Sequence, residues 1–282
     1  MVDLHIHSTY SDGTLSPEAL IRLAEQSGLK AVALCDHNTV AGLPDFLEAA
    51  AGSAVEAIPG IEFSTDYNGT ELHVLGLFIE PEHYGAVTEK VDSMLIRKER
   101  SNRDLVEALV PAGIRLDYDA IKAGTPNGQV NRAVIAREMV QLGYCETVKE
   151  CFSKWLSPKH GYYKPPARLD VFEVISFIKS IGAVAVLAHP FLNLDEDGLR
   201  SFLKEAVPCG LDAMETLYPK FSREQRELAC SIAGEYGILI SGGSDFHGDN
   251  KPDILLGTGR GDLEVPAVVL QKLKQRKYFA ET

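Results

Sequence analysis

The sequence has no apolar run approaching the ~18–20 residues that a membrane span needs. Its start, Met-Val-Asp-Leu-His, has neither a basic region nor an apolar stretch before a cleavage site. A cytoplasmic protein with no membrane partner is therefore expected. Cysteine is sparse and odd in number: Cys35, Cys145, Cys151, Cys209 and Cys230 show no CxxC spacing. That pattern argues against a disulfide framework and against a structural zinc knuckle. Basic charge is also short, with 28 Lys and Arg against 40 Asp and Glu, a net charge of −12. Such a surface disfavours non-specific nucleic-acid binding, which depends on neutralising phosphates with cations. A small phosphorylated substrate stays open, because bound metal ions reverse the charge locally. No internal repeat and no low-complexity segment is visible, and nothing fixes the oligomeric state.

What is present is an ordinary globular composition, 45% hydrophobic and 24% charged over 282 residues, enough for one large core with or without an inserted subdomain. Val2–His7 reads as a short strand. Ser16 then offers an N-cap, Pro17 a first helical position and Gly28 a stop, which together predict a helix. Further strands are expected at 31–35, 54–61, 72–79, 183–188, 211–217 and 238–241, and helices at 40–51, 171–181, 198–207 and 224–236. Alternation of this kind favours an α/β protein with a parallel sheet and crossover helices. The middle of the chain is different, helical with charged faces and few strand signals. Residues 94–164 are expected to form a helical insertion, leaving 1–93 and 165–282 as one discontinuous domain.

The histidines are not scattered. His5 and His7 stand at i, i+2 on the first strand, which points both imidazoles to one face. Taken alone, the pair reads equally as two ordinary histidines flanking a core Ile. Asp245 and His247 repeat the spacing after an apolar strand and the Gly242-Gly243 pair. Asp36-His37 ends another apolar strand; neighbours on a strand face opposite ways, so His37 is chosen as ligand and Asp36 as its support or a turn residue. His189, before Pro190, and Glu62, after Gly60-Ile61, also end strands, while His73 lies in a strand too apolar for a solvated imidazole. Asp12 would by itself be a turn residue. Most of these positions fall near the C-terminal ends of expected strands, where parallel barrels assemble their sites. Burying so many polar groups at one rim is costly without compensation, and divalent cations supply it.

Together, His5-x-His7 with Asp12, Asp36-His37, Gly60-Ile61-Glu62, His73, His189-Pro190 and Ser244-Asp245-Phe246-His247 resemble the PHP (polymerase and histidinol phosphatase) superfamily. The resemblance implies a distorted (β/α)7 barrel with a cluster of two or three divalent metals. It implies one site of His5, His7, Glu62 and Asp245, a second of Glu62, His73 and His189, and a third of Asp12, His37 and His247. Within the superfamily, the length and insertion look most like the nucleotide-directed group of 3',5'-nucleoside bisphosphate phosphatases and 5'-to-3' RNA exonucleases. The segment Asn131-Arg132-Ala133-Val134-Ile135-Ala136-Arg137 is similar to that group's Gly-Arg-Pro-His-Ile-Ala-Arg, lacking its Gly, Pro and His.

A metal-dependent phosphoric ester hydrolase is the function expected, with a nucleotide or short 5'-phosphorylated oligonucleotide as substrate. Three divalent ions against three carboxylates would leave the rim at a charge of about +3, which selects phosphate over neutral esters or amides. Mixed imidazole and carboxylate ligands suit Mn, Fe or Zn alike. Hydroxide generated between the metals is the expected nucleophile, and Glu62, Asp245 and His247 are assigned to catalysis. Arg132 is the first choice for binding substrate phosphate, because a guanidinium forks onto it. Arg137, Lys164 and Arg223 follow, then Arg168, and Tyr163 or Tyr218 would stack on a base. A histidinol-phosphate-type phosphatase is one alternative. An amidohydrolase-like barrel is another, although no Lys stands at a matching strand end to bridge two metals and Glu62 takes that position.

Overall fold

The computed structural model describes residues 1–125, 130–166 and 168–280. It divides into two compact units, one of residues 1–89 with 168–282 and one of residues 90–167.

Among the described residues the larger unit is built on eight strands: β1 (Val2–Ile6), β2 (Ala31–Leu34), β3 (Glu56–Tyr67), β4 (Thr70–Leu77), β5 (Leu169–Asp170), β6 (Val184–Leu187), β7 (Ala213–Leu217) and β8 (Leu239–Gly242). The sheet order is β1-β2-β3-β4-β6-β7-β8, with β5 added alongside β3. The two ends of this order meet. The Asp245 N–H donates to the His5 carbonyl at 2.8 Å and the His7 N–H to the Phe246 carbonyl at 2.9 Å. The sheet therefore curls into a distorted seven-stranded barrel.

One strand departs from the expected parallel pattern: β4 runs antiparallel to both β3 and β6. The reason is local. Asn68 and Gly69 both have positive φ, 53° and 85°, as a two-residue hairpin turn requires, and no crossover helix fits between β3 and β4. Both strands consequently extend beyond the expected bounds at the hairpin, and Glu62 and His73 lie within strands rather than at their ends. Because β4 runs the opposite way, its beginning reaches the rim where the parallel strands end.

Helices pack outside by the usual local rules. In α1 (Pro17–Gln26) the Ser16 hydroxyl accepts from the Ala19 N–H, and Leu20, Ile21 and Ala24 make the buried face. Each large aliphatic side chain so buried contributes about 1.5–3 kcal/mol. The others are α2 (Leu43–Ala49), α7 (Val171–Ser180), α8 (Glu196–Ala206), α9 (Arg223–Glu235) and α10 (Ala267–Ala280). Val269, Leu270 and Leu273 of α10 join strand residues Val2, Leu4, Ala31, Val184 and Ala213 in one apolar cluster.

The smaller unit contains most of α3 (Tyr84–Leu109), with α4 (Tyr118–Ala123), α5 (Arg132–Gln141) and α6 (Val148–Cys151). Leu105, Leu109, Ile135, Met139 and Leu156 are fully buried in a core of its own.

The loop after β8 lies unusually close to β1. A Cβ on Gly243 would fall 2.5 Å from both the Cβ and the N of His5. Gly243→Ala is therefore expected to lower stability by about 1–3 kcal/mol, read as a lower urea midpoint. An unchanged midpoint would show that the loop has slack.

Candidate metal centre

β1 supplies His5, and His7, one residue past its end, points to the same face. The turn beyond β2 supplies His37, β3 Glu62, β4 His73, the residue after β6 and Ala188 His189, and the loop after β8 Asp245 and His247. Asp12 comes from the turn after β1, with its side chain 54% exposed.

Glu62 is the point of convergence. Its carboxylate is fully buried, and its Oε2 lies 3.2 Å from His5 Nε2, 3.2 Å from His7 Nε2 and 3.1 Å from His37 Nδ1. Its other oxygen faces His73 Nδ1 at 2.8 Å and His189 Nε2 at 3.0 Å. Asp245 Oδ1 stands 3.2 Å from His7 Nε2 and 3.5 Å from His247 Nδ1. Asp12 Oδ1 lies 3.2 Å from His247 Nε2. All nine residues singled out as ligands thus meet in one place.

Among the described residues, three overlapping groups have ligand atoms within 4.8 Å of one another: His5, His7, Glu62 and Asp245; His37, Glu62 and His73; and His7, Asp12, His37 and His247. The first is the set the resemblance implied. In the second, His37 joins Glu62 and His73 where His189 was expected; the third is the expected Asp12, His37 and His247 with His7 added.

The donor set fits divalent cations. His5 Nε2 and His7 Nε2 face each other at 3.1 Å. Ligand–metal bonds of about 2.0–2.2 Å around a tetrahedral or octahedral ion give edges of about 3.0–3.5 Å, the spacing seen here. Glu62 Oε2, His7 Nδ1 and His37 Nδ1 are buried without a well-directed hydrogen bond. Buried polar atoms left in that state call for a partner, and a cation would satisfy Glu62 Oε2 together with His37 Nδ1.

Electrostatics follow the same geometry. Burial alone would raise the Glu62 carboxyl, but the surrounding imidazoles hold it well below the usual carboxylate range. Burial would lower His73, yet Glu62 and Glu71 outweigh it and push the imidazole up to about 10. His37 goes the other way, to about 4, because burial and the neighbouring imidazoles His7 and His73 outweigh Glu62 and Asp12.

Several residues not singled out in the sequence hold this arrangement. Glu215, fully buried in β7, accepts from His5 Nδ1 at 3.0 Å and from the His189 N–H at 2.7 Å. Its signal was available: a lone acid near the end of an apolar strand, as at Glu62. Glu71 lies 3.5 Å from His73 Nε2 and pairs with Arg168 at 2.7 Å. Lys251 binds Asp245 Oδ2 at 2.6 Å, and nothing in its sequence context marks it. Asp36, expected as the support of His37 or as a turn residue, takes the turn role: it accepts from the Ser8 N–H at 2.8 Å and from the Ser8 and Ser11 hydroxyls at 2.6 Å, tying the end of β2 to the turn that carries Asp12.

The expected substrate contacts are placed less uniformly. Tyr218 is buried, its hydroxyl donates to Asp245 Oδ2 at 2.8 Å and its ring lies beside His189, so it offers no open face to a base. Arg223 stands on the outside of α9, 87% exposed and paired with Glu227. Arg132, Arg137, Lys164 and Tyr163 belong to the smaller unit. There the Arg132 guanidinium donates to the Leu156 carbonyl at 3.1 Å and stacks 4.2 Å over the Tyr163 ring. Arg137 lines a hollow between α4 and α5, and Lys164 is exposed. Beside the cluster a cavity of about 250 Å³ opens among His37, Glu62, His73, His189, Leu192 and Asp245.

The chain is similar to known proteins. Residues 3–159 match the PHP domain family. The chain belongs to that family. It is 33% identical over 246 residues to a 5'-3' exoribonuclease of Haemophilus influenzae, covering 87% of this chain and 89% of that protein. A 3',5'-nucleoside bisphosphate phosphatase of Chromobacterium violaceum is 27% identical over 248 residues, covering 87% of each. A solved structure from Bifidobacterium adolescentis, assigned as a metal-dependent phosphoesterase, superposes with a TM-score of 0.76 at 27% identity over 98% of this chain and 96% of that one. No helix among the described residues is long and apolar enough to cross a membrane.

Cation binding in this PHP site must displace the protons that His5 and His73, both raised by Glu62, hold in the metal-free protein. Apparent Mn or Zn affinity is therefore expected to rise with pH between about 6 and 9, with proton release at pH 7. Calorimetry in buffers of different ionisation enthalpy measures it; a pH-independent affinity without proton exchange would contradict these charge states.

Proposed function

We propose that this PHP protein is a metal-dependent phosphoesterase acting on nucleotides or short 5'-phosphorylated oligonucleotides, with two to three Mn, Fe or Zn ions. The observation that carries the proposal is Glu62, whose two carboxylate oxygens each face a different group of imidazoles at the mouth of an open pocket. The relatives add the substrate class: one is named for action on RNA and another for action on nucleoside bisphosphates.

His5, His7, Glu62 and Asp245 would hold one ion, Glu62 with His73, His37 and His189 a second, and Asp12, His37 and His247 a third. Ions bound there lower the pKa of coordinated water and offset the charge that phosphoryl oxygens develop during in-line displacement. The chain's own residues set the conditions for that chemistry. Glu215 fixes the orientation of His5 through Nδ1, which leaves Nε2 directed at Glu62. Tyr218 and Lys251 occupy Asp245 Oδ2, so only Oδ1 faces the imidazoles. Arg168 and His73 hold Glu71 at the pocket wall, and Leu192 offers an apolar edge to the leaving part of a substrate.

The unit of residues 90–167 is proposed to supply cations for phosphate beyond the one cleaved. Arg132 supports this, because stacking on Tyr163 and Phe152 holds its guanidinium plane ready. Arg137 and Lys164 are the further choices there, whereas the exposed pairing of Arg223 gives it the weakest claim.

His7→Ala and Asp245→Ala should each lower kcat/KM for nucleotide phosphate esters at least about a hundredfold while circular dichroism stays unchanged. The assay compares AMP, a nucleoside 3',5'-bisphosphate, 5'-phosphorylated RNA and histidinol phosphate on the Mn-, Fe- and Zn-loaded protein. Undiminished rates in both variants would sink the assignment. Arg132→Ala should raise KM about tenfold with kcat little changed, and unaltered kinetics would remove Arg132 from the site.

A further inference from the structure

Two lysines line the pocket, and neither is among the proposed metal ligands. Lys220 lies three residues beyond the end of β7 and Lys251 in the segment after β8, so both reach the cavity from the same rim as the histidines. Neighbouring strands thus bring two lysines to one cavity.

Their pairing sets them apart. Arg22, Lys179, Arg200, Arg226 and Lys274 each bind a carboxylate at 2.5–2.8 Å. Lys220 makes no hydrogen bond or ion pair with a described residue; the carboxylate on which its charge acts, Asp253, is already bound by Arg260 at 2.7 Å. Lys251 is bound to Asp245 Oδ2 at 2.6 Å and remains 29% exposed. An ammonium has three donors, so that one contact leaves two uncommitted.

Ligand class follows from the kind of donor. A planar carboxylate is matched best by the fork of one guanidinium, whereas two separate point charges suit an anion with several oxygens directed apart. Phosphate is such an anion. We propose that Lys220 and Lys251 form a subsite for a phosphate group of the substrate, an inference that rests on the phosphoesterase reading above. The group is either the phosphate being hydrolysed or its neighbour on the same substrate.

The test begins without metal. Inorganic phosphate is titrated calorimetrically into the metal-free protein, Lys220→Gln, Lys251→Gln and Lys274→Gln. Lys220 is exposed and Asp245 Oδ2 keeps Tyr218, so both pocket variants should fold. Dissociation constants are expected to rise about tenfold in each pocket variant, the loss of one charge-assisted contact, and to stay unchanged in Lys274→Gln. Unchanged binding in both pocket variants, or an equal loss in Lys274→Gln, overturns the subsite.

KM is then compared on the metal-loaded protein for a nucleoside monophosphate and a 3',5'-bisphosphate. A rise confined to the bisphosphate assigns the lysines to the neighbouring phosphate, and an equal rise assigns them to the one hydrolysed. No rise with either substrate overturns the proposal. Lysine-dependent phosphate binding in a protein that hydrolyses neither ester would instead contradict the phosphoesterase reading and leave the subsite standing.

Discussion

A single buried carboxylate holds the centre of this protein together. Removing an ionised carboxylate from water costs several kcal/mol even after relaxation, and Glu62 is fully buried. Five imidazoles within 3.2 Å are arranged to offset that cost. The offset is mutual. Six histidines crowded at one rim repel one another when protonated and leave lone pairs facing lone pairs when neutral, unless an anion or cations lie among them. Four segments of the barrel deliver them: β1 and its end bring His5 and His7, the turn after β2 His37, β4 His73 and the residues after β6 His189.

Around that centre stands a ring of buried acids that bind backbone and hydroxyl groups rather than imidazoles alone. Asp3 accepts from the Ser244 and Gly257 N–H groups, both at 2.8 Å, and anchors the loop carrying Asp245 to β1. Asp36 does the same for the turn carrying Asp12. Two of the nine ligand-type residues, His189 and Asp245, have positive φ, 29° and 56°. Non-glycine residues persist in that region only where surrounding contacts over-determine them, and here Glu215 and Lys251 with Tyr218 make those contacts. Strain at the rim is thus balanced by hydrogen bonds one layer out.

Much of this was legible in the sequence, for definite reasons. Period-two spacing places His5 with His7 on one face, and apolar runs ending in an acid or imidazole mark Glu62, His37 and His189. Such patterns report on local geometry, which is why they worked. The reversed direction of β4 is not local in this sense, because it depends on pairing partners rather than on the Asn68-Gly69 turn itself. Glu215 stands inside β7, and its role depends on His5, 210 residues away in the chain. From the sequence Tyr218 is a candidate for stacking on a base, and only the folded chain shows its hydroxyl committed to Asp245. Lys220 and Lys251 look like any surface cation until the barrel brings them to the same cavity.

The most direct measurement is the metal content of the protein after anaerobic reconstitution with Mn or Zn and removal of excess ions, for the native chain and for Glu62→Ala. The native chain should retain two or three ions. The variant should lose more than one of them together, since both oxygens of Glu62 face ligand groups. A native chain that retains no stoichiometric metal, or a Glu62→Ala chain that keeps the full complement, would contradict the role given to this carboxylate.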